Sequence, residues 1–198
     1  MLNFENAQKR ENLGMELYDK IISIVDFNLI YCLVPMVLTL ILVKLIYKNR
    51  FPTKKALNVI RWIIIGYTVI TLVHFIVGIS LNPDEFAFTN RATGPYKFAY
   101  WFMLLCVTVL PFTLLFKKLA SKYWYVLIIA FLIKVGVYFE RFVIVTTSMH
   151  RDYAQENGSS ELMDLAAYGI SVFLIQGLII AIILLGILKL IERKKSSR

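Results

Sequence analysis

The 198-residue chain is 59% hydrophobic with a mean hydropathy of +0.68, well above the roughly 45–50% apolar content of a soluble globular domain. Lys and Arg outnumber Asp and Glu by 22 to 13, for a formal net charge of +9, yet the basic residues crowd the ends of apolar blocks and form no patch with interleaved aromatics. Composition therefore argues against a soluble domain and a nucleic-acid binder, and predicts an all-α integral membrane protein in contact with lipid.

Residues 1–20 are polar, with Glu5, Lys9, Arg10, Glu11, Glu16 and Asp19, where a signal peptide would be basic and then apolar. The first apolar block runs from about 21 to 46 and is interrupted by Asp26, Asn28 and Pro35; the second covers about 57–79. The third covers about 98–116, with a kink expected at Pro111, the fourth about 123–147, and the fifth about 165–190. Each approaches or exceeds the ~20 residues that cross a ~30 Å hydrocarbon layer. Lipid offers the backbone no hydrogen bonds, and the blocks lack the polar alternation of a membrane barrel, so all are predicted helices. The expectation is a five-helix transmembrane domain over 21–192, followed by a basic tail at 193–198.

Charge in the connections predicts orientation. Lys48, Arg50, Lys54 and Lys55 follow the first block, Lys117, Lys118 and Lys122 follow the third, and Arg193, Lys194, Lys195 and Arg198 end the chain. The positive-inside rule puts these on the cytoplasmic side. The opposite connections and the N-terminal segment are neutral or acidic, which predicts an N-out, C-in topology. Aromatic residues near the block ends, among them Trp62, Trp101, Trp124, Tyr96 and Tyr123, fit an interfacial belt.

Ionisable residues at membrane depth are costly, about 2.5–3.5 kcal/mol at the bilayer centre, and usually face a bundle interior, pair, or line a polar path. Here they are Asp26, His74, Lys134, Glu140 and Arg141. Counted from the outer helix ends, Lys134 lies roughly 20 Å in, Glu140 roughly 10 Å and His74 roughly 8 Å, so a Glu140–His74 contact is expected. Lys134 either snorkels toward the cytoplasmic side or hydrogen-bonds Gln176 or Thr108. With only His74 and His150 as histidines, and only Cys32 and Cys106 as cysteines, each in an apolar run, neither a bis-histidine haem nor an iron–sulfur cluster is expected on this chain. No metal site or nucleotide-binding loop is legible.

Two stretches carry a resemblance: FAFTNRATGPYKFAYWFMLLCVTVLPFTLLFKK and VGVYFERFVIVTTSMHRDY. Their NRA-x-GPY-x-x-AYW signature falls on Asn90, Arg91, Ala92, Gly94, Pro95, Tyr96, Ala99, Tyr100 and Trp101, and Pro111 follows in the next helix. The second signature falls on Phe139, Glu140, Arg141, Phe142, Thr147, Ser148, His150, Arg151 and Asp152. Over about residues 60–190 the chain resembles the NrfD-like, polysulfide-reductase-type membrane subunits, in particular the C-terminal half of the quinol-oxidising subunit of alternative complex III.

This resemblance implies a five-helix half of an NrfD-like fold in the bacterial inner (cytoplasmic) membrane, within a quinol-linked respiratory complex. Its partners would be iron–sulfur and cytochrome subunits held at the outer face and another NrfD-like membrane subunit. The quinone, menaquinone or another, would belong to the complex, since the resemblance places the quinol pocket in the half without a counterpart here. No cofactor and no catalysis are then expected of the chain by itself. Where the family usually carries glutamine and a small polar residue, this sequence has Phe112 and Lys134. The candidate proton-transfer residues are Glu140, His74 and Lys134; the candidate partner-docking residues are Arg91, His150, Arg151 and Asp152. A second expectation, of a different class, is a non-catalytic scaffold or assembly subunit in which these residues only tie helices and loops together.

Overall fold

Apolar runs of this length can satisfy their own backbone only as helices, and the computed structural model is all-helical. It describes residues 17–18, 20–48, 50–81, 88–139 and 156–196, and no strand occurs among them. We number the elements α1 (Lys20–Tyr47), α2 (Thr53–Leu81), α3 (Phe88–Thr93), α4 (Lys97–Leu115), α5 (Lys117–Ala120), α6 (Tyr123–Leu132) and α7 (Glu156–Ser196). Among the described residues, four stretches are long and apolar enough to cross a membrane: α1, α2, α4 and the Ala167–Lys195 part of α7. The apolar helix α6 is shorter, a turn occupies 133–134, and the backbone is helical again over 135–139. The rest of the fourth predicted block, 140–147, lies outside the described residues.

The first helix is the centre of the bundle. Its Ile30, Leu33, Val37 and Leu40 are spaced along one face and are essentially fully buried. They form one core with Ile60 and Ile64 of α2, Val126 and Ile129 of α6, Ile133 just beyond it, and Ala181 and Leu185 of α7. The opposite pattern holds outside, where Leu42, Ile70, Val73, Ile182 and Ile187 are about half exposed or more. An apolar surface this continuous would be a liability in water. It suits hydrocarbon.

Proline shapes two of the spans in the same way. Pro35 of α1 has no N–H and crowds the carbonyl one turn earlier; the helix accommodates it with a π-turn over Asp26–Ile30, closed by Tyr31 N–H donating to the Asp26 carbonyl at 3.0 Å. In α4, Pro111 lies inside a 3₁₀ stretch, Leu110–Leu115, and a π-turn, Leu105–Val109, precedes it. The kink expected at Pro111 thus takes the form of a change in winding, wide turn and then tight turn.

Packing just after the first π-turn is close. A Cβ placed on Gly177 of α7 would come within 2.5 Å of Pro35 Cγ and 2.9 Å of the Cys32 carbonyl oxygen. Glycine at this position lets α7 lie directly against the irregular part of α1. At the end carrying the basic connections, Tyr123 OH donates to Thr53 Oγ1 at 2.9 Å, and the Lys44 ammonium lies 4.2 Å from the centre of the Tyr123 ring.

Candidate functional site: a buried ion pair between α1 and the turn after α6

The irregular turns of two helices bring opposite charges together. Asp26 opens the π-turn of α1, and Lys134 sits in the turn after α6, where its N–H reaches the Phe131 carbonyl at 3.3 Å. Lys134 Nζ lies 2.6 Å from Asp26 Oδ2 and donates to Tyr67 OH of α2 at 2.7 Å. The side chains are only 9% and 20% exposed for Lys134 and Asp26. The ring centres of Tyr67 and Tyr31 lie 5.1 and 5.6 Å from the ammonium, within the range in which aromatic faces stabilise a cation. One ammonium therefore joins α1, α2 and the fourth apolar block.

The pair is electrostatically closed but not fully hydrogen-bonded. Withdrawing both charges from water costs several kcal/mol per ion, which mutual attraction repays only at short range and with further hydrogen bonds. Lys134 spends two of its donors, one on the carboxylate and one on the phenol. Asp26 Oδ1, however, is buried with no hydrogen-bond partner among the described residues. That oxygen is an acceptor of the site still open to a donor among the described residues.

The flanking polar residues form a second tie. Asn28 donates to the Ile24 carbonyl at 2.8 Å, and Gln176 Nε2 of α7 donates to the Asn28 carbonyl and side-chain oxygens at 3.3 and 3.2 Å. Neither Gln176 nor Thr108 is the partner of Lys134: Gln176 serves Asn28, and Thr108 Oγ1 donates within its own helix to the Leu104 carbonyl at 2.6 Å. Lys134 does not snorkel to either side. A buried carboxylate within reach is a better partner for an ammonium than an amide or hydroxyl.

The two other candidates among the described residues, His74 and Arg91, make different contacts. His74 stacks on Tyr18, with ring centres 4.0 Å apart and planes 9° from parallel, and Tyr18 OH donates to the Ile70 carbonyl at 3.3 Å. Arg91 is exposed on the short helix α3. The α3–α4 corner is held by Gly94, whose N–H donates to the Asn90 carbonyl at 3.0 Å; a Cβ there would come within 2.6 Å of that oxygen. Trp101 Nε1 donates across the corner to the Ala92 carbonyl at 3.2 Å. Glu140, Arg141, His150, Arg151 and Asp152 lie outside the described residues, as does any Glu140–His74 contact. Among the described residues no three His, Cys, Asp or Glu side chains converge as metal ligands.

Two members of the cluster are not among the residues singled out as candidates from the sequence. Asp26 is legible as an ionisable residue at depth, but its pairing with Lys134 is not. Tyr67 carries no signal at all inside its apolar run. No family model, curated protein or solved structure matches this chain, so the arrangement stands on its own geometry.

Proposed function

We propose that this chain is a membrane subunit of a quinol-linked respiratory electron-transfer complex, a five-helix half of an NrfD-like fold that anchors redox subunits at the outer face and conducts protons. The observation that carries the reading is the Lys134–Asp26–Tyr67 cluster. Ionisable residues held inside membrane-spanning helices mark ion or proton pathways by default, because lipid tolerates them only when they are paired. Moving one proton from Lys134 Nζ to Asp26 Oδ2, 2.6 Å away, turns two buried charges into a neutral amine and a neutral acid. Both states of the pair are then compatible with hydrocarbon, which is what a relay requires. A proton arriving at the open Asp26 Oδ1 would give the pair one proton more, which Lys134 would pass to the next acceptor of the path, restoring the count. His74 and Glu140 would continue the path toward the outer face, and Arg91, His150, Arg151 and Asp152 would hold partners there through charge-assisted hydrogen bonds.

The reading is tested by purifying the chain in mild detergent from its own cells and identifying what accompanies it. Iron–sulfur and cytochrome subunits should co-purify, and Asp26→Asn should leave the complex assembled while lowering its quinol-driven proton translocation. The chain by itself should be colourless and unable to oxidise a menaquinol analogue. Topology is tested separately: a cysteine at Ser159 should react with an impermeant maleimide from outside intact cells, and one at Ser197 should not. The reverse pattern would overturn N-out, C-in.

A second reading, a non-catalytic scaffold or assembly subunit, is favoured by the same contacts seen as ties. Lys134 links α1, α2 and the fourth block, and Gln176 links α1 to α7. If Asp26→Leu combined with Lys134→Met leaves proton-coupled turnover of the complex unchanged, the cluster is structural and the scaffold reading stands.

A further inference from the structure

We propose that the cavity between α2 and the connection from α4 to α6, at the end of the bundle carrying the basic connections, binds a phosphate group, presented there by an anionic phospholipid. The cavity, about 260 Å³, is lined by Lys54, Leu57, Asn58, Arg61, Lys117 and Ser121, with three cations and no carboxylate. Spacings of three and four place Lys54, Leu57, Asn58 and Arg61 on one face of α2, opposite Lys117 and Ser121.

Arg61 is the anchor of the argument. It is 8% exposed, its Nη1 and Nη2 donate only to neutral acceptors, Asn58 Oδ1 at 3.2 Å and the Leu115 carbonyl at 3.3 Å, and its Nε is buried with no partner. A guanidinium withdrawn from water is costly unless an anion answers it, and no acidic side chain among the described residues does so. Neither Lys54 nor Lys117 is in an ion pair there, whereas their neighbour Lys55 is, with Glu192 at 2.6 Å. Phosphate, with several acceptor oxygens and fixed negative charge, matches a guanidinium flanked by ammonium groups.

The position selects the source. Beside the cavity, Trp62, Leu115 and Phe116 are 54%, 49% and 66% exposed, so apolar surface begins where the cations end. A phospholipid would lay its acyl chains on that surface while its phosphate entered the cavity; free phosphate would gain nothing from it. Basic pockets between helices at the membrane boundary recognise anionic headgroups by this combination.

The test uses the full chain in bilayer nanodiscs containing phosphatidylglycerol and phosphatidylcholine of identical acyl chains, followed by release into detergent and native mass spectrometry. One phosphatidylglycerol should be retained in preference to phosphatidylcholine. Lys54→Gln with Lys117→Gln, both exposed positions, should lower that retention roughly twenty-five-fold, at about fivefold for each cation removed, with helix content unchanged. Arg61→Gln should abolish the preference. Excess inorganic phosphate should not displace the lipid. If phosphate does displace it and is retained in its place, the phosphate chemistry holds and the lipid source is wrong. Equal retention of the two lipids, or a preference untouched by the double lysine change, overturns the proposal.

Discussion

Lys134 and Arg61 are equally buried, each 8% exposed, yet the chain treats their charges differently. Lys134, eleven residues into the fourth apolar block from Tyr123, has its own carboxylate at 2.6 Å and a phenol at 2.7 Å. Arg61, eight residues from the start of α2, has a carbonyl, an amide, the Trp62 ring at 5.2 Å and an idle Nε, but no carboxylate among the described residues. The difference lies in what the fold supplies. At Lys134 it carries the counter-charge itself, on the π-turn that Asp26 opens. At Arg61 it carries none among the described residues, which is where the proposed headgroup phosphate would serve.

The comparison breaks most visibly at Asp26. Asp26→Leu leaves an ammonium buried without its carboxylate and should cost about 3–5 kcal/mol, read as a fall in the denaturation midpoint of the purified protein in micelles. A loss below about 1 kcal/mol, the scale of a surface pair, would show that Lys134 has another anion. Tyr67→Phe keeps the ring and deletes only the hydroxyl that Lys134 donates to; losing a hydrogen bond to a charged group should cost about 1.5–3 kcal/mol. Gly177→Ala touches no charge but pushes a methyl onto Pro35 and the Cys32 carbonyl, and should cost about 1–3 kcal/mol by overpacking. It also tests whether the π-turn of α1 is held from outside, since a relaxed turn would loosen Asp26 as well. Gln176→Leu removes the exposed tie to Asn28 and should cost only about 0.6 kcal/mol, the average of interhelical hydrogen bonds in a membrane.

Helix formation was legible because it rests on block length alone, and the apolar runs in the described residues are helical apart from the turns at 31–32 and 133–134. The ion pair was not legible, for reasons that lie in particular residues. Counting from an expected helix end at 147 puts Lys134 roughly 20 Å from the outer side, while Asp26 stands five residues into its own block, so a count along the helices gives no reason to pair them. The lysine side chain spans part of that gap and the π-turn before Pro35 shifts the face on which Asp26 emerges; neither is a property of a count at 1.5 Å per residue. A usable sign was present in α7, where Gly177 and Ala181 stand four apart, the small-residue spacing of close helix contact. It marks a face of α7 for close packing, and the structure puts there the irregular stretch of α1 that follows Asp26. The Arg61 cavity was half legible: the basic connection was read as orientation, but the burial of Arg61 depends on the fold of Leu115 and Lys117 around it.

The most direct test of the central claim is a double-mutant cycle on Asp26→Leu and Lys134→Met, with stability in micelles measured for the parent, both single variants and the double. If the two groups are a buried pair, each single change strands a polar or charged group, and the double change replaces both by apolar side chains of similar size. The double variant should then be more stable than Asp26→Leu alone, with a coupling of about 1.5 kcal/mol or more. Losses that add to within about 0.5 kcal/mol would mean that the residues do not interact, and would contradict the account of how this chain carries charge inside the membrane.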